Sequence, residues 1–280
     1  MSMSRRIQRM VMRSKFAYPY IGWMAVFVIA PIILVVVYAF TTSGGIPTLM
    51  NFSTMGSYIS VFIRSFRLSA ISTVVCIIIG YPVAYILSRE GPRLQRIMIM
   101  LIMLPMWMNF LLRTYAWMSI LENTGLLNRL LGFFGLPALR IINTQTAVVI
   151  GMVYNFLPFM VLPIYSVIIK IDRSLVEAAQ DLGANTAAVF RKVIFPLSLP
   201  GVLSGVTMVF VPGVSTFVIS QLLGGGKEML LGDLIELQFL GSAYNPQLGS
   251  AISLVMMIIV IAFMYIMNRF GEGEEMAVAL

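Results

Sequence analysis

Apolar residues in this chain gather into six long runs parted by short polar stretches. The runs extend roughly from Tyr18 to Phe40, Leu68 to Leu87, Ile97 to Leu121, Thr146 to Ile169, Gly201 to Leu223 and Ala251 to Asn268. A bilayer core of about 30 Å is crossed by about 20 apolar residues of helix. Because a helix satisfies its own backbone groups where water is absent, the pattern predicts an all-α membrane protein with six transmembrane helices. The expected organisation is a basic segment over residues 1–17, a six-helix body over 18–269 containing a long polar loop at 170–200, and a tail over 270–280.

Composition supports this and removes several functions. Of 280 residues, 59% are apolar and 11% charged, with a mean hydropathy of +0.94. Soluble domains carry about 25% charged residues, so a water-facing globule is excluded. The chain has no histidine, which removes histidine dyads, histidine metal sites and a histidine pH switch. Cys76 is the single cysteine, so neither an intrachain disulfide nor a cysteine cluster can form. No catalytic or metal site is expected.

The net charge of +8 and pI near 9.8 would suit nucleic acid, but in a membrane chain basic residues set orientation. Arg5, Arg6, Arg9, Arg13, Lys15, Arg89, Arg93, Arg96, Lys170, Arg173, Arg191, Lys192 and Arg269 fall on one side of the six runs, and Arg64, Arg67, Arg129, Arg140 and Lys227 on the other. The richer side is cytoplasmic, so both termini are expected there and no nucleic-acid partner is implied. The first apolar run is too long for a signal-peptide core. Tyr18, Tyr20 and Trp23 would anchor it at the headgroups.

Prolines 31, 82, 105, 158, 163 and 212 lie inside the runs. Each removes a backbone donor and bends its helix, as suits a bundle that rearranges around a pathway. In the fifth run, Gly201-x-x-x-Gly205 would let another helix approach closely.

The loop from Lys170 to Pro200 differs in character from its surroundings. Ser174 and Glu177 have the spacing of a capping box, which predicts a helix ended by Gly183 as a left-handed cap. Asn185 or Thr186 would cap a second short helix. Glu177 and Asp181 are ill-suited to anionic lipid and the apolar face is alanine-rich, so a protein-docking surface is expected.

These residues resemble a known family. Glu177-Ala178-Ala179, Gly183 four residues on, and Ile194-Phe195-Pro196 look like the Glu-Ala-Ala-x3-Gly signature of permease subunits of type I ABC importers, placed between the fourth and fifth of six spans. The resemblance implies a coupling helix inserting into a cytoplasmic ATPase subunit, with Glu177, Ala178, Ala179, Asp181, Gly183, Ala184, Arg191 and Pro196 as its coupling residues. Over nearly the whole chain the sequence is similar to polyamine permeases of the spermidine/putrescine importer B-subunit type, through Gly80-Tyr81-Pro82, Leu104 to Trp117, Gly151 to Tyr165, and Leu222 to Leu240. That similarity implies a bacterial-type cell membrane location, a second permease subunit, two ATPase subunits that bind ATP and Mg, and an external solute-binding protein. The chain itself has no Walker A loop. Gly224-Gly225-Gly226-Lys227 is followed by Glu228, and Gln221 stands where the first glycine is required; it is expected to be an external glycine-rich loop.

A path for polycations calls for carboxylates and aromatic faces. The candidates are Glu122, Asp233 and Glu236, with Trp107, Tyr115, Trp117 and Tyr154, and with Asn109 on the helix face shared by Arg113 and Trp117. Arg113, inside the third run, is expected to have a structural or gating role with a partner on another helix or subunit. The same architecture could serve an anion or metal-complex substrate, and an oxyanion would make Arg113 the leading ligand instead. A self-contained secondary transporter would need acids at the midplane, and the runs hold no convincing one.

Overall fold

A computed structural model of the chain describes residues 18–278, with side chains to residue 270. The basic segment 1–17 lies outside the described residues. The chain is almost wholly helical. Five helices are long and apolar enough to cross a membrane, and a bent pair makes a sixth span. They are α1 (Tyr18–Ala39), α3 (Ile59–Arg89), preceded in sequence by a short α2 (Met50–Met55), the pair α4 (Pro92–Trp107) and α5 (Phe110–Leu121), α7 (Gln145–Ile168), α10 (Phe195–Ser215) and α13 (Pro246–Val278). Shorter helices fill the connections: α6 (Leu126–Phe133), α8 (Arg173–Asp181), α9 (Thr186–Val189), α11 (Val218–Gly224) and α12 (Leu231–Phe239).

Two spans are interrupted where a single helix was expected. The third is broken at Met108 and Asn109, with a bend of 92° between Pro92–Trp107 and Phe110–Phe133. Both residues have extended ψ values, 149° and 131°, and Asn109 Oδ1 accepts from the N–H groups of Leu111 and Leu112 at 2.9 and 3.3 Å. An apolar run therefore hides a helix end and a new, side-chain-capped beginning. The fifth span begins earlier and ends earlier than its hydropathy suggests. α10 starts at Phe195, contains Pro196 and Pro200, and stops at Ser215, while the residues up to Leu223 form the separate α11.

The described residues form two compact units. Residues 18–58 with 237–258 share a small apolar core of Ala39, Ala251 and Leu254, against which Val35, Phe52 and Met257 pack. Asn51 fixes the turn after α1 by donating to the carbonyls of Ala39 and Thr41, each at 3.0 Å.

Residues 59–236 with 259–278 are built on α3, α7 and α10, which pack pairwise. Their close approach depends on glycine. A Cβ on Gly201 would lie 2.9 Å from the Pro163 carbonyl oxygen, and one on Gly205 would lie 2.7 Å from Met160 Sδ. The expected Gly201/Gly205 contact face is thus present, against α7. Tyr81 anchors the cytoplasmic half of this core, with edge-on or tilted contacts to Phe190 and Phe195.

Proline acts here through helix register. A π-helical turn at Ala25–Ile29 comes just before Pro31, and another at Phe190–Ile194 comes just before Pro196. In each, the residue ahead of the proline donates to the carbonyl five positions back, Ala30 to Ala25 and Phe195 to Phe190. The missing proline N–H is accommodated by one widened turn.

Candidate functional site

The cytoplasmic loop is a built structure. Asp172, not Ser174, caps α8: its Oδ1 accepts from the Ser174 N–H at 2.9 Å. The expected capping box is therefore displaced by a carboxylate two residues earlier, a stronger acceptor at the positive helix end. That backbone bond from Ser174, helped by the Ser174 hydroxyl, holds the Asp172 carboxyl below its ordinary range. At the other end, Ala184 N–H donates to Ala179 O at 3.0 Å and Gly183 N–H to Gln180 O at 2.8 Å. With Gly183 at φ +82°, this is a Schellman closure. Asn185 then caps α9 by accepting from the Ala188 N–H at 2.8 Å.

The loop has two faces. Val176, Ala179, Ala184 and Phe190 pack against the core, while Glu177, Ala178, Asp181, Gly183, Arg191 and Pro196 are exposed. Of the residues expected to couple, Ala179 and Ala184 are partly buried against the core. Leu182, the apolar residue directly after α8, is 90% exposed and stands at the tip beside Gly183. Behind α8 a cavity of about 580 Å³ is lined by Glu177 and Gln180 together with Tyr85 and Ser88 of α3 and Glu90 just after it.

The candidate path residues fall into three settings. Trp117 and Tyr154 are brought together, with ring centroids 5.1 Å apart at 60°. Trp107 and Tyr115 are exposed, Trp107 and Asn109 flanking the break in the third span. Asn109 turns back to cap α5 and so does not join Arg113 and Trp117 along one face. Glu122 is exposed at the end of α5 and accepts from the Asn123 N–H.

Asp233 and Glu236 lie one turn apart on α12, outside the long apolar helices. Asp233 is buried; its Oδ2 accepts from the Leu230 N–H at 2.7 Å and its Oδ1 has no partner among the described residues. Burial pushes its carboxyl up to about 6, against the lowering effect of its hydrogen bonds. Glu236 accepts from Gln221 of α11, and α11 packs on α5 and α7, which carry Trp117 and Tyr154.

Arg113 is 8% exposed, with its guanidinium 5.8 Å from the Phe110 ring centroid. Its Nε and Nη1 have no hydrogen-bond partner among the described residues.

At the outer end a polar network ties three segments. Arg64 pairs with Glu228 at 3.5 Å, Glu228 accepts from Gln145 at 3.0 Å, and Gln145 accepts from Arg67 at 2.6 Å. The glycine-rich stretch beside it is ordered around left-handed Gly225 and Gly226, at φ +60° and +72°.

Comparison with known proteins then decides the family. Residues 77–272 match the family described as binding-protein-dependent transport system inner membrane component. The chain belongs to this family. It is thus the membrane-spanning permease subunit of a transport system, in the inner membrane. This inner membrane component is 39% identical over 262 residues to the spermidine/putrescine transport system permease protein PotB of Haemophilus influenzae, covering 90% of this chain and 91% of that one. It is 35% identical to PotB of Escherichia coli K12, covering 85% and 90%. Its fold matches a chain from a bacterial ABC transporter that imports the acidic polysaccharide alginate, at a TM-score of 0.82 and 15% identity over 97% and 99% of the two chains. It also matches a chain of the MetNI methionine ABC transporter at 0.60 and 19% identity, covering 79% of this chain and 98% of that one.

Proposed function

We propose that this permease carries polyamines, spermidine or putrescine, inward across the membrane, driven by ATP hydrolysed on separate subunits. The observation that carries the substrate is the 39% identity to a spermidine/putrescine permease along nine-tenths of both chains. The chemistry is consistent with it. Asp233 offers a buried, half-satisfied carboxylate, Glu236 a second one a turn away, and the Trp117–Tyr154 pair an aromatic wall, all suited to ammonium groups. Glu122 and Tyr115 would line the outer approach, and Trp107 and Asn109 the break. Arg113 repels a polycation, so its role is structural or gating, set by an acceptor on a second permease subunit.

On this reading the exposed face of α8 docks on a cytoplasmic ATPase. Leu182 and Leu175 supply an apolar tip, Glu177, Asp181 and Arg191 its rim, and the Schellman closure at Gly183 its rigidity. The assembly contains a second permease subunit, two ATPase subunits holding ATP and Mg, and an external solute-binding protein that delivers the polyamine.

The test of substrate is the ligand held by the binding protein that assembles with this chain. Spermidine or putrescine bound there, displaced only by other polyamines, is expected. Tight binding of an oxyanion instead would overturn the polyamine assignment and make the unpartnered Arg113 the leading ligand.

A further inference from the structure

Gln95 sits in the first turn of α4 and satisfies three groups on two elements. Its Nε2 donates to the carbonyls of Ser88 at 3.2 Å and Glu90 at 2.8 Å, which close the turn between α3 and α4. Its Oε1 accepts from the Tyr165 hydroxyl at 3.2 Å. Tyr165 is buried, on the last turn of α7, a few residues before the chain enters α8. One side chain thus fastens the cytoplasmic start of α4 to the stem of the docking loop.

Gln95 is the polar link at the cytoplasmic end of a longer contact, in which α4 packs on α7 and places Met98, Ile99 and Ile102 against the core. Ser88 and Glu90 line the same cavity of about 580 Å³ as Glu177 and Gln180 of α8. α4 has 16 residues and is about 24 Å long at 1.5 Å per residue. Its far end is the capped break at Met108 and Asn109, a ready hinge that needs no helix to bend. A shift at the stem of the loop, passed to the start of α4, turns that helix about the break, with Trp107 and Asn109 at the joint.

We propose that Gln95 is the positioning residue that carries movement of the cytoplasmic loop into α4, with Tyr165 as its contact on α7 and the Met108–Asn109 break as the pivot. The inference rests on the ATP-driven permease reading. It assigns Gln95 no contact with substrate or nucleotide; its effect is on how much solute moves for each ATP.

The experiment uses the full complex in proteoliposomes and measures spermidine taken up per ATP hydrolysed for wild type, Tyr165→Phe, Gln95→Glu and the double variant. Tyr165→Phe breaks the link to α7 and leaves the turn intact. Gln95→Glu keeps an acceptor for Tyr165 but removes both donors to the turn. Each single variant is expected to lower the ratio by about fivefold or more, the low end for energetically coupled sites, with the double variant no worse than the singles because they cut one chain. A ratio equal to wild type in Tyr165→Phe would overturn the inference, as would uptake and ATP hydrolysis falling together with the ratio unchanged, the mark of a merely structural role. Absence of ATP-dependent uptake in the wild-type complex would overturn the permease reading and this inference with it.

Discussion

Tyr81 and Ser198, 117 residues apart in sequence, share a buried hydrogen bond of 2.7 Å between α3 and α10. The Ser198 hydroxyl also donates to the Phe195 carbonyl at 2.9 Å. It has a single proton, so Tyr81 is the donor to Ser198. Tyr81→Phe therefore removes one bond while leaving Ser198 paired, at a cost of about 1 kcal/mol. Tyr81→Ala also loses the ring contacts with Phe190 and Phe195, and large aromatic truncations in cores cost about 3–5 kcal/mol. Denaturant titration of the purified protein should separate the two variants. Equal losses would show that the hydroxyl, and not the ring, dominates.

Helix approach gives a second, ordered expectation. A methyl at Gly201 meets the Pro163 carbonyl oxygen at 2.9 Å and the Ile164 Cα at 3.1 Å, backbone atoms that cannot turn aside. At Gly205 the closest atom is the flexible Met160 Sδ, with backbone at 3.3 Å. Gly201→Ala should cost about 1–3 kcal/mol, as overpacking does, and Gly205→Ala less. Gly22→Ala, where a Cβ meets nothing within 4 Å, should be neutral or slightly stabilising. Thermal midpoints of the three variants check the order.

Gly183 separates backbone shape from bulk. Its φ of +82° is strained for a side chain, yet a Cβ there meets nothing within 4 Å. Asparagine tolerates the left-handed region and branched residues do not. Coupled uptake should survive Gly183→Asn and fall strongly in Gly183→Val, with both proteins inserted in the membrane. Gly183→Arg, which adds bulk and charge at the docking tip, should abolish it. Normal uptake in Gly183→Arg would remove the loop from the coupling route.

Asp233 predicts a pH dependence. Its carboxyl is raised from 3.8 to about 6 in the folded protein, chiefly by burial. A raised acid leaves the fold at full stability below the unfolded value and weakens it as pH rises through the folded value. The protein should therefore lose stability between about pH 4 and pH 6, by an amount on the order of 3 kcal/mol for a shift of about two units. Asp233→Asn should not show that loss. In transport the sign reverses, because the ionised carboxylate is the form that attracts a cation: uptake should rise through pH 6 in wild type and not in Asp233→Asn. Matching pH profiles of wild type and variant would exclude the role.

Much of this was legible in sequence, and the misses have physical causes. Long apolar runs report solvent, so the six crossings were visible, but hydropathy is blind to backbone geometry. The break at Met108 and Asn109 sits in an apolar run, marked only by Pro105 and by an asparagine placed where a cap would be. At α8 two acceptors competed for one helix end, and pattern alone preferred Ser174 over Asp172. Gly183 was readable because a left-handed residue leaves few alternatives. The burial of Asp233 was not, since the start of its helix is held from 166 residues away, where Ser65 accepts from the Leu231 N–H at 2.8 Å. Nor could spacing show that Gln95 reaches Tyr165, 70 residues away.

The most direct measurement of the central claim is uptake of labelled spermidine into proteoliposomes bearing the whole assembly, with ATP supplied on the cytoplasmic face. Uptake that requires ATP and the binding protein, and that ceases in Gly183→Arg while ATP hydrolysis continues, is predicted. Uptake without ATP, or ATP-driven uptake of an anion with spermidine excluded, would contradict it.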